Sequence, residues 1–90
     1  MNISISGRIE ADTKSAWFIM FIKSTSDLKN IHRASLTVFD ATCDEAINKG
    51  LTFWRKNMQH CVKYKNDIDV NITIKDDLKV LIFIGKEGMQ

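Results

Sequence analysis

No proline interrupts this 90-residue chain and only four glycines punctuate it, a composition that excludes proline-rich, collagen-like and linker-rich sequences. Neither sign of charge dominates. Thirteen Lys and Arg stand against eleven Asp and Glu, for a net charge of +2, a field too small to predict nucleic acid, membrane or an acidic ligand as partner. Two cysteines, Cys43 and Cys61, do not make a disulfide framework. On one helix their spacing corresponds to roughly 27 Å at a rise of ~1.5 Å per residue, whereas a disulfide holds its Cα atoms about 4.4–6.8 Å apart. Free thiols, and with them a cytoplasmic location, are expected. No stretch approaches the ~20 apolar residues of a membrane-spanning helix. Met1–Gly7 has neither the basic n-region nor the apolar h-region of a signal peptide. The Walker loop, Gly-x-Ser-x-Gly, His-Glu-x-x-His and Cys-x-x-Cys are all absent.

What the chain does contain is an unbroken apolar run, Trp17-Phe18-Ile19-Met20-Phe21-Ile22. A strand shows its side chains alternately to two faces, so this run is greasy on both and reads as an inner strand of a sheet. Ser15 on one side and Lys23-Ser24-Thr25-Ser26 on the other leave it too short for a helix. Before it, Asn2–Glu10 alternates, with Ile3, Ile5 and Ile9 on one side and Gly7 as a candidate bulge. The polar Ala11–Lys14 predicts an antiparallel hairpin between these two strands. A longer loop over Ser24–Arg33 and a third strand over Ala34–Asp40 follow.

Thr42-Cys43-Asp44-Glu45 fits a capping box, in which the Thr hydroxyl and the Glu carboxylate each satisfy an orphan amide at a helix start. Downstream, Cys43, Ala46, Ile47, Gly50, Leu51, Trp54, Met58, Cys61 and Val62 recur at helical spacing on one face. Acids at its start and Arg55, Lys56 and Lys63 toward its end suit the macrodipole. Gly50 on the apolar face predicts a close approach to the sheet. Asp67–Lys75 alternates, Asp76-Asp77 makes a turn, and Leu78–Gly85 returns as an apolar strand. The order is therefore β-β-β-α-β-β: one α+β domain over residues 1–90, with a mostly antiparallel five-stranded sheet and one long helix on one face.

One helix shields one face of a sheet. The second and last strands are apolar on both faces, so one face needs another cover. Ser15 and Lys23 share the side of Trp17, Ile19 and Phe21, which places Phe18, Met20 and Ile22 under the helix. Trp17, Ile19 and Phe21, together with Phe39, then form the expected partner-binding surface, for a protein partner or a second copy of the chain (a homodimer). The side of the last strand stays open: a two-residue turn at Asp76-Asp77 pairs Ile72 with Leu81, and a three-residue turn pairs it with Ile82.

Chemistry has fewer candidates. His60 and Cys61 are adjacent and on a helix would point about 100° apart, so they do not face each other, and a thiol on the core stripe is inert. Two distant Cys and two His lack zinc-ligand spacing. Asp67 and Asp69 share a strand face and Asp40, Asp44 and Glu45 cluster at the helix start, where either group offers oxygen ligands to a divalent cation. A polar outer strand face and an acidic first helical turn account for both more simply. The first alternative reading is a nucleic-acid-binding module using the basic end Arg55, Lys56, Lys63 and Lys65, with Lys23, Lys29 and Arg33 near the long loop. The second is a small metal-dependent enzyme using Asp40, Asp44 and Glu45.

Three strands followed by a helix are similar in order to the β-β-β-α part of double-stranded RNA-binding domains. Those domains carry a preceding helix and a basic start to the last one. Here Thr42, Cys43, Asp44 and Glu45 stand at that start, and an acidic helix N-terminus repels phosphate. In size and element order the chain also resembles several small anti-CRISPR proteins, without a shared motif that would carry residues over. Together with an Ile-, Lys- and Asn-rich composition, this favours a non-enzymatic, phage- or mobile-element-encoded inhibitor or adaptor. It is expected to act by occluding a protein partner, with no cofactor and no metal.

Overall fold

A computed structural model describes residues 3–7, 13–24, 31–58 and 66–87. The expected order of elements is present: β1 (Ile3–Gly7), β2 (Ser15–Ser24), β3 (Ile31–Ala41), α1 (Cys43–Asn57), β4 (Asn66–Lys75) and β5 (Leu78–Glu87). The five strands form one mixed sheet in the order β1-β4-β5-β2-β3, so the fold is α+β with β2 an inner strand. The longer pairings, β2 with β3 and β4 with β5, are antiparallel; β1 with β4 and β2 with β5 are parallel.

One expected pairing is wrong. The first two strands are not a hairpin, because β4 and β5 lie between them. The physical reason lies in β2 and β5. Each is apolar on both faces, and pairing them inside the sheet keeps both away from its edges and gathers their apolar side chains, whereas half-polar β1 suits an edge. The β4–β5 hairpin turns through two residues: Lys75 pairs with Leu78 and Ile72 with Leu81, and Asp76 takes a φ of 56°, a left-handed value that Asp tolerates in such turns. Leu81 and Phe83 thereby face the helix. In β3, two residues, Phe39 and Asp40, oppose the single Ala16. This bulge, with Asp40 at a φ of 54°, bends the chain from the sheet edge into α1.

The predicted capping box starts α1: Glu45 N donates to Thr42 Oγ1 at 3.2 Å and Thr42 N to Glu45 Oε1 at 3.3 Å. These hydrogen bonds hold the Glu45 carboxyl below its ordinary range, through the Thr42 backbone first and its side chain second. Met58 is the C-cap of the helix; the expected Cys61 and Val62 lie outside the described residues, as does Ile9 of the first strand.

The core lies between α1 and one sheet face. Its hub is Phe21, stacked on Phe53 with centroids 4.6 Å apart and tilted against Phe83 at 5.1 Å and Trp54 at 6.3 Å. Gly50 and Gly85 let the layers close. A Cβ on Gly50 would fall inside contact distance of the Phe83 ring, and one on Gly85 would strike the Trp54 indole. At one end of the core Trp17 Nε1 donates to the Ala41 carbonyl at 3.0 Å, and Lys79 Nζ lies 5.7 Å from the Trp17 ring centroid. At the other, the buried Lys23 donates to the Met58 carbonyl at 2.8 Å and lies 5.3 Å from the Trp54 ring centroid.

Gly50→Ala should therefore destabilise the fold. Its helix-propensity gain of ~1 kcal/mol is outweighed by overpacking of about 1–3 kcal/mol or more against Phe83. Urea melts of the two proteins read the sign, and a more stable variant would show that α1 does not sit this close to β5.

Candidate functional site

The helix covers the face opposite to the one expected. Trp17, Ile19 and Phe21 are 1%, 0% and 0% exposed, lie in the core, and offer no surface to a partner. Phe18 and Met20, expected under the helix, are 41% and 36% exposed, and Ile22, on their side, is half-buried. The reason is Lys23. It shares the Trp17 side and reads in sequence as a solvent marker, yet it is 1% exposed. Its stem packs in the core while its ammonium caps a carbonyl at the negative end of α1. Of the four expected surface residues only Phe39 is exposed, at 74%.

Register and alternation assemble the open face row by row. Phe18, Met20 and Ile22 of β2 lie beside Val80, Ile82 and Ile84 of β5. The six make a continuous apolar stripe along the two adjacent central strands. Thr73, Asn71 and Asp69 of β4 pair with Val80, Ile82 and Ile84 and flank the stripe on one side. Thr37, Ser35 and Arg33 of β3 pair with Phe18, Met20 and Ile22 and flank it on the other. Beyond β4, Ser6 of β1 donates from its hydroxyl to Asn71 Oδ1 at 2.7 Å. At the hairpin end, Leu78 continues the β5 side of the stripe and is 61% exposed.

This arrangement offers apolar area, a polar margin and one row with opposite charges at its ends, Asp69–Ile84–Ile22–Arg33. Sequence reasoning missed all six stripe residues as surface because the β5 side hung on an unresolved turn and the β2 side on Lys23. The legible signal was that two strands were greasy on both faces, which favours their being neighbours.

The other candidates are scattered. Arg55 and Lys56 are exposed in the last turn of α1 and with Thr52 line a shallow, open hollow; Lys63 and Lys65 lie outside the described residues, as do Lys29, His60 and Cys61. Among the described residues no group of three or more His, Cys, Asp or Glu stands together to hold a metal ion. Asp40, Asp44 and Glu45 are exposed, and the Glu45 carboxylate is engaged in the helix cap. Cys43 is buried, and its thiol pKa is raised by burial first and by Asp44 second, against a lowering by Lys79. Among the described residues no helix is long and apolar enough to cross a membrane. Comparison of the chain with protein-family models, curated proteins and solved structures finds no match in any of the three.

A buried thiol with a raised pKa is mostly protonated at pH 8 and shielded from reagents. In a Cys61→Ser background, iodoacetamide should alkylate Cys43 at least about a hundredfold more slowly in buffer than in urea, as fits a site opened only by unfolding. Comparable rates, followed by mass spectrometry, would show that the start of α1 opens locally.

Proposed function

We propose that this chain is a non-enzymatic interaction protein that seats a protein partner on the open face of its sheet and, as an adaptor or inhibitor, occludes the partner's surface. One observation carries the reading: Phe18, Met20, Ile22, Val80, Ile82 and Ile84 form one contiguous apolar stripe, bordered on both sides by Thr, Asn, Ser, Asp and Arg. An apolar centre with a polar margin is the anatomy of a protein interface, and monomers seldom leave a contiguous apolar area of this extent open to water.

Magnitudes support an interface of moderate strength. Covering the exposed part of the stripe at about 25 cal/mol per Å² contributes on the order of 5 kcal/mol gross from this side alone. The partner's apolar surface adds a comparable amount. Association costs an estimated 4–15 kcal/mol, so the stripe supplies the drive and the polar flanks decide which partner fits. Nucleic acid suits this face poorly, since phosphate contacts need a series of cations and the stripe itself, Phe18, Met20, Ile22, Val80, Ile82 and Ile84, carries none.

Met20→Glu and Ile82→Glu test the reading. Each places a carboxylate at the stripe centre without touching the core, so circular dichroism and urea midpoints should stay near those of the wild type. Size-exclusion chromatography with light scattering, run on purified protein and on cell extract, should show that both variants lose every association the wild type makes. Variants that fold and keep all wild-type associations would sink the proposal, and so would a wild type that associates with nothing in either setting.

A further inference from the structure

We infer that the partner on this face is a second copy of the chain, packed sheet to sheet about a two-fold axis that runs along the strands between β2 and β5. The inference rests on the interface reading above and goes further by naming the occupant. A two-fold interface must be self-complementary, because each residue meets the surface its own symmetry mate presents. Rotation about an axis along the strands keeps each row at its level and exchanges its left and right ends. The stripe meets these conditions. Its midline lies between β5 and β2, so rotation sets Phe18 against the partner copy's Val80, Met20 against its Ile82 and Ile22 against its Ile84.

The flanks agree with the same axis. The row Asp69–Ile84–Ile22–Arg33 has its carboxylate on β4 and its guanidinium on β3, each one strand away from the stripe. Rotation brings Asp69 of one copy to the level of Arg33 of the other, twice per dimer. In the other two rows Thr73 meets Thr37 and Asn71 meets Ser35, all neutral polar pairs. A two-fold axis across the strands would instead set Asp69 against Thr73, Arg33 against Thr37 and Asp67 against Lys75, so the two axes pair different charges and the reversals below tell them apart.

The available area approaches that of a stable dimer. The four strands that overlap about this axis, β4, β5, β2 and β3, at a spacing of about 4.8 Å and roughly 30 Å of β5 give a face of about 580 Å² per copy. Two copies then bury about 1,150 Å², at the lower edge of the range of about 1,200–2,000 Å² for stable interfaces. Sheets facing each other in this way pack about 10 Å apart with strands roughly aligned, a separation that Ile, Val, Met and Phe fill.

Sedimentation equilibrium of the purified protein at about 5–200 µM tests the inference, alongside Met20→Glu, Arg33→Asp, Asp69→Arg and the double exchange Arg33→Asp with Asp69→Arg. The wild type should show twice its 10.3 kDa mass, and Met20→Glu should be a folded monomer. Each single charge reversal places like charges together twice and should raise the dimer Kd about tenfold; the double exchange should return it to within about threefold of the wild type. A wild type that stays monomeric throughout overturns the second copy as occupant. In that case a heterologous species lost on Met20→Glu would leave the interface reading standing, and its absence would remove both. A dimer that survives Met20→Glu, or one that the double exchange does not rescue, overturns this two-fold arrangement.

Discussion

The seat of Gly50 on the Phe83 ring sets the distance between the two layers, and the rest of the structure follows from that closeness. Because the helix lies in contact with β5, Phe21 can reach Phe53, Trp54 and Phe83 at once, and Trp54 can lie over Gly85. Larger residues at positions 50 and 85 would lift the helix and open voids around the aromatic hub, and dense packing tolerates such gaps poorly. A single cover fitted this tightly to one face leaves the other face without a cover among the described residues.

The two ends of the core are closed by polar atoms used locally. At one end the Trp17 indole donates to the chain just before the helix. At the other, the Lys23 ammonium meets the carbonyl of the helix C-cap. A hydrogen bond to a charged group contributes more than a neutral one, about 1.5–3 kcal/mol, and here it ties the last turn of α1 to the end of β2. The cation that a hydropathy reading places in water is part of what holds the helix on the sheet. On the open face, by contrast, the polar residues Thr73, Asn71, Asp69, Thr37, Ser35 and Arg33 flank an apolar centre.

Much of the architecture was legible in the residues. Alternation in 67–75, the apolar run at 17–22 and the Thr42–Glu45 capping box each reflect short-range physics: side-chain period, strand burial and orphan amides at a helix start. These produced the element order, the α+β class, the inner position of β2 and the helix face. Strand neighbours were less legible, because pairing β2 with β5 brings together segments about sixty residues apart. Nothing within either segment names its partner beyond a shared excess of apolar side chains. For the candidate site, Phe39 was placed at the surface and Trp17, Ile19 and Phe21 were placed on the wrong face. That error turned on reading Lys23 as a solvated residue, and an amphipathic side chain can bury its stem while its charge finds a carbonyl.

The amino-acid sequence by itself determined that there are two faces of apolar side chains and one helix, and hence that one sheet face must be left over. That conclusion needs only composition and period. Which face is left over was decided by tertiary structure: the β4–β5 turn length, the bulge at Asp40 and the contact of Lys23 with Met58 together put Trp17, Ile19 and Phe21 inside, and Phe18, Met20 and Ile22 outside. Along a strand the two faces are chemically equivalent until something beyond the strand tells them apart. Here that is a helix end, 35 residues of chain away, which only the folded molecule brings alongside.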